Sequence, residues 1–162
     1  MSVSALQAAV TFAAVFVALY VAHSVGDHWV QTHHQACTKG GPGWAGRFAC
    51  VRHCLTLTLT KGVALAAVVL LLGLHVTAAG LVIGLGLDVV THYWADRRSG
   101  LARFAGSIRK GEYLALGTAA HPDHPVTATG APALTLGTGA FHLDQSWHLL
   151  WLGVAALLIA TV

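Results

Sequence analysis

Three stretches of this sequence set an imidazole and a carboxylate one helical turn apart. They are His23-x3-Asp27-x3-Gln31, Asp88-x3-His92-x3-Asp96 and Asp144-Gln145-x2-His148. In a helix, positions i and i+4 share a face, so each stretch presents a short line of donors. A further imidazole, His53, stands between Cys50 and Cys54. Neutral imidazole combined with carboxylate suits Zn, Mn or Fe. A divalent ion so held makes a nucleophile of its bound water, and a spare carboxylate can serve as general base. His23, Asp27, His53, His92, Asp96, Asp144 and His148 are the candidate ligands, enough for one or two ions. Asp27, Asp96 and Asp144 are the candidate bases.

The elements that carry these residues are apolar. Of 162 residues, 56% are hydrophobic and only 9% charged, and mean hydropathy is +0.67. A soluble domain carries about 25% charged residues, so this composition excludes a solvated surface as well as disorder. A membrane-spanning helix needs about 20 apolar residues. Four stretches qualify, at residues 6–30, 45–74, 78–95 and 141–162. The predicted fold is therefore all-α and integral to the membrane, a single domain of four helices in an antiparallel bundle. The first span lacks a basic leader and is read as retained. Gly80-x3-Gly84 in the third is a small-residue spacing that allows close helix approach.

Between the third and fourth spans lies a long loop, residues 97–140. Its first part, 97–116, reads as a short basic amphipathic segment with Leu101, Phe104 and Ile108 on one face. Residues 117–140 are rich in Gly, Ala, Pro and Thr, and His121-Pro122-Asp123-His124 reads as a turn. Lys39, Arg47 and Arg52 follow the first span, and Arg97, Arg98, Arg103, Arg109 and Lys110 follow the third. The opposite side has no Lys or Arg. The positive-inside rule then puts both loops in the cytoplasm and both termini outside; the expected location is a bacterial inner membrane. The basic residues are spread by topology without stacking aromatics, so nucleic acid is not an expected partner. Three cysteines make no disulfide framework, and Cys50 and Cys54 read as small packing residues. His28, His33 and His34 read as solvated.

This topology brings the donors to one depth. His23 and Asp27 end the first span, His53 begins the second, His92 and Asp96 end the third, and Asp144 and His148 begin the fourth. Ionisable groups inside spans are costly and mark function, and bundle cores are where such sites are built. Gln31 and Gln145 are expected to support the ligands. Lys61 and Asp88 lie eight residues from His53 and Asp96, roughly 12 Å deeper at 1.5 Å per residue. Charges at matched depth on antiparallel neighbours predict a Lys61–Asp88 ion pair flooring the site. The alternative has Lys61 snorkelling outward and Asp88 joining the cluster.

These motifs resemble a domain-of-unknown-function family of small bacterial and phage transmembrane proteins. That family carries His-x3-Asp-x3-Gln on its first helix, a His on the second, a later His-x3-Asp, and Asp-Gln-x2-His on the last. The resemblance spans nearly the whole chain except the insertion at 99–140. A more distant likeness to prokaryotic membrane-bound metal-dependent hydrolases implies His/Asp metal chemistry on a lipid-linked or phosphate-bearing, membrane-proximal substrate. The sequence reading is thus a metal-dependent hydrolase with Zn as first choice and Mn or Fe as alternatives. Two other classes stay open: a divalent-ion or proton transporter, and a non-enzymatic membrane accessory protein whose polar network is structural. Haem ligation is disfavoured, since it needs no Asp beside each His.

Overall fold

The computed structural model describes residues 2–118 and 137–162, so most of the loop at 117–140, with its His121–His124 motif, lies outside the described residues. Helix α1 is Val3–Val25, started by Ser2, whose hydroxyl accepts from the Ala5 amide. It runs on into a π-helical turn, Gly26–Val30, closed by the Gln31 amide donating to Gly26 at 2.9 Å. A short helix α2, His33–Thr38, opens with a reciprocal capping box between Thr32 and Gln35. Helix α3, Gly43–Leu72, stops at Gly73, whose φ of 62° suits a residue without a Cβ. Helix α4, Ala78–Asp96, is capped by the Thr77 side chain. Two short helices follow, α5 (Ser99–Ser107) and α6 (Gly111–Ala115). Helix α7, Gly139–Thr161, closes the fold.

Four of these segments are long and apolar enough to cross a membrane: Val3–Val30, Gly43–Leu72, Ala78–Asp96 and Gly139–Thr161. They form a closed ring in which α1 packs on α3 and α7, and α4 packs on α3 and α7. One half of the ring is filled by Val15, Leu19, Leu65, Leu152, Ala155 and Ile159. Gly80 and Gly84 bring α4 close to α7: a Cβ on Gly84 would stand 2.7 Å from Ile159 Cγ1 and 2.8 Å from the Ala155 carbonyl oxygen.

The polarity of this bundle is the reverse of a water-soluble one. Leu70 and Leu71 are 80% and 83% exposed, whereas Lys61 and His53 are fully buried. Water penalises large exposed apolar faces and hydrocarbon does not. The arrangement fits helices solvated by lipid around a polar interior.

The basic segment expected in the third loop is built as two short helices: α5 ends at Ser107 and α6 restarts at Gly111, with Arg109 between them at φ 61°. The buried face of α5 is Leu101 and Ala105, an i,i+4 pair, while Phe104 and Ile108 are exposed. Ile108 falls beyond the last helical residue, so the 3.6-residue period that grouped it with Leu101 no longer applies there. Phe104 instead joins Trp94 and Trp147 in an aromatic cluster, with ring centroids 5.8 Å apart for Phe104–Trp147 and 4.7 Å for Trp94–Trp147.

Candidate metal centre

The donors collect at the end of the ring that carries the basic residues. The π turn sits where α1 reaches the cluster, and such turns recur at functional sites. It holds Asp27 while the closing Gln31 turns back toward α3. From α3 comes His53, from α4 His92 and Asp96, and from α7 His148 and Asp144.

His53 is the hub. Its Nε2 lies 3.0 Å from Asp27 Oδ1, 3.3 Å from Asp96 Oδ2 and 3.1 Å from His92 Nε2. His92 Nε2 is in turn 3.1 Å from Asp96 Oδ2. One imidazole proton cannot serve all of these neighbours. A cation at their centre can: metal–ligand bonds of about 2.0–2.1 Å in tetrahedral geometry separate the ligand atoms by roughly 3.3 Å. The 3.0–3.3 Å spacings around His53 Nε2 and the 3.1 Å between His92 Nε2 and Asp96 Oδ2 match that separation.

Hydrogen bonding inside the protein leaves this cluster unsatisfied. Both ring nitrogens of His23, Nδ1 of His92, Nε2 of His148, Oδ1 of Asp27 and Oδ2 of Asp96 are buried without a hydrogen-bond partner. Four of these six atoms stand 3.0–3.5 Å from an oppositely chargeable atom without hydrogen-bond geometry. Buried polar groups rarely stay unpaired, and donors so grouped could hold a cation. His23, His92 and His148 offer nitrogens all within 4.8 Å of one another, as do Asp27 with His53 and His92, and Asp96 with Asp144 and His148. His23, His53, His92 and His148 are each at most 3% exposed. The donor set fits a divalent transition metal.

The supporting residues divide. The Gln31 carboxamide is 2.9 Å from His53 Nδ1. The atom facing Nδ1 is the amide nitrogen, which donates; in the opposite amide orientation the oxygen would accept the Nδ1 proton and leave the Nε2 lone pair free for a cation. Gln145 bonds to Asp144 rather than to an imidazole, at 3.3 Å. Asp144 stands 3.5 Å from His148 Nε2, and its side chain is 27% exposed, so it marks the mouth of the site. Lys61 and Asp88 pair at 2.6 Å, away from the mouth. Among the expected solvated residues, His28, His33 and His34 are exposed. Cys50 and Cys54 are buried, and together with Asp96 they form a further donor group within 4.8 Å.

One residue of the site escapes the sequence reading. Lys39, counted there only as a loop charge, reaches Asp96 Oδ1 at 2.8 Å. Its backbone is held by Arg97, which donates to the carbonyls of Lys39 and Gly41, while Arg98 donates to that of Ala36. The positive side chains after α4 therefore tie down the loop after α1.

A cavity of about 520 Å³ opens onto this cluster. Asp27, Gln31, Asp96 and Asp144 face it, Lys39 and Arg98 line it, and Leu101, Leu114 and Phe141 give it an apolar wall. It can admit an anionic group next to the donors and an apolar chain beside it. No family model, no curated protein and no solved structure matches this chain.

Proposed function

We propose that the protein is a membrane-embedded metal-dependent hydrolase whose substrate carries a phosphate or ester at headgroup depth. The observation that carries this reading is the convergence of Asp27, Asp96 and His92 on His53 Nε2 at 3.0–3.3 Å, beneath a cavity open at one end. His53, His92, Asp27 and Asp96 would hold a divalent ion, with Zn preferred and Mn or Fe as alternatives, which when bound would supply a polarised scissile group and a bound water of pKa about 7. Asp144 is the base best situated to take the proton, being partly exposed at the mouth. The water oxygen bonds to phosphorus or carbonyl carbon, the ester bond breaks, and the proton passes to the leaving oxygen. Arg98 and Lys39 attract the anion, and the wall of Leu101, Leu114 and Phe141 suits a lipid chain. The mouth faces the cytoplasm of a bacterial cell, with both termini outside.

Transport is the second reading, and the apolar half of the ring counts against it. Val15, Leu19, Leu152 and Ile159 are at most 2% exposed and fill the interior beyond the Lys61–Asp88 pair. Among the described residues, Thr11 is the one buried polar side chain in that half, so an ion entering at the mouth meets few onward ligands there.

The test is activity of detergent-purified protein on phospholipid and p-nitrophenyl phosphodiester substrates, with and without added Zn or Mn. Metal-dependent release that disappears in Asp144→Asn supports the reading. Bound metal without hydrolysis of any ester would sink it.

A further inference from the structure

We infer that the centre holds two divalent cations bridged by the Asp27 carboxylate, of which the second carries the reactive water. The inference rests on the metal-dependent reading above and deepens it. An ion taken by Asp27, His53 and His92, which offer donor atoms within 4.8 Å of one another, leaves His23 and His148 unused. Catalytic ions keep a place for water. The donors left over can build a second place.

Asp27 divides its oxygens between two places: Oδ1 lies 3.0 Å from His53 Nε2 and Oδ2 lies 3.3 Å from His23 Nε2. His23 and His148 face one another at a ring-centroid distance of 4.9 Å, and both present buried nitrogens without hydrogen-bond partners. His23 and His148 share a group of donor atoms within 4.8 Å with His92, and Asp27 Oδ2 adds a carboxylate oxygen beside His23, so that a second ion has donors next to the first. Its fourth position turns toward Asp144, 3.5 Å from His148 Nε2, where the cavity begins. Asp144 is placed to accept the proton of a water bound there.

Charge names the substrate class. Two divalent ions with Lys39 and Arg98 bring six positive charges against the three carboxylates Asp27, Asp96 and Asp144. A bound hydroxide and a phosphodiester monoanion offset two of the remaining three. Paired ions stabilise the attacking and leaving oxygens of such an in-line displacement.

The experiment counts ions in the full chain, purified in detergent and dialysed against Mn²⁺ and then metal-free buffer, by plasma mass spectrometry. Two Mn per chain are expected, falling to one in His148→Ala and in His23→Ala. An exchange-coupled EPR signal should replace the isolated-ion pattern in the wild type only. One Mn per chain in the wild type overturns the second ion and leaves the hydrolase reading standing. No bound Mn or Zn overturns both. Two ions that persist in both His variants, or that show no coupling, place the second ion elsewhere and also overturn the inference. The wild-type count decides even if a variant fails to fold.

Discussion

Lys61 Nζ and Asp88 Oδ2 meet at 2.6 Å between α3 and α4, with the two side chains 0% and 5% exposed. Each charge answers the other in a region otherwise filled by hydrocarbon side chains. The matched depth that predicted the pair comes from two antiparallel helices joined by a short turn. Breaking a buried pair by removing one partner costs about 3–5 kcal/mol, because the other charge is left unpaired. Lys61→Met and Asp88→Asn should therefore each destabilise strongly, and the double variant should cost much less than their sum. Thermal unfolding in detergent of the four proteins gives the cycle. Strict additivity would mean that the contact contributes nothing.

On the metal-dependent reading proposed above, chelation should loosen the bundle from its basic end. It would leave the donor atoms of Asp27, His53, His92 and Asp96 without a shared cation. A ligand at a hundred times its Kd stabilises by about 2.7 kcal/mol, so chelation should lower the melting temperature in wild type. His92→Ala should lower it without chelator and lose most bound metal. His33→Ala, at an exposed position, should leave both unchanged.

Gln31 should tune affinity without being a ligand. It touches only the far nitrogen of His53, at 2.9 Å. Removing such an orienting partner typically costs 10–100-fold in metal affinity. Gln31→Leu should show that loss in a competitive chelator titration, and Gln31→Glu should recover most of it. Equal affinity for Leu and Gln would remove Gln31 from the site.

These variants also show which parts of the molecule were legible in the chain. The spans were readable because about twenty apolar residues in a row have few other uses, and the His/Asp pairs because a helix turn is a local ruler. Their common depth then followed from topology alone. What local periodicity could not reveal is contact across long separations. The hub role of His53, with Gln31 twenty-two residues away and His92 thirty-nine, depends on how the helices rotate against each other. Lys39 was missed for the same reason: a loop lysine looks solvated until the arginines after α4 pin its backbone. The break of the amphipathic segment at Arg109 was hidden because three short apolar matches fit a helix whether or not it continues.

Gly84 should resist any side chain, since even a methyl group requires a neighbour to shift. A Cβ there already crowds Ile159 and the Ala155 carbonyl. Gly84→Val should cost roughly 1–3 kcal/mol, the usual range for overpacking, read as a lowered unfolding midpoint. Gly86→Val, at a position where a Cβ meets nothing within 4 Å, is the matched control. Equal effects at both positions would mean helix propensity rather than the α4–α7 contact.

Cys37 offers a native probe of orientation, since it is exposed on α2. With both loops inside, an impermeant maleimide should label it in inverted vesicles and spare it in intact cells. Ser2→Cys in a Cys37→Ser background should behave oppositely. Labelling of Cys37 from outside would reverse the topology.

The confinement of the donors to one end of the ring has an electrical consequence. A charge that crosses a whole bilayer gains or loses about 2.3 kcal/mol per 100 mV. An ion that stops at His53, above the apolar interior formed by Val15, Leu65 and Leu152, traverses only a small part of that drop. Occupancy should thus be nearly indifferent to voltage, and a cell could depolarise without emptying the site.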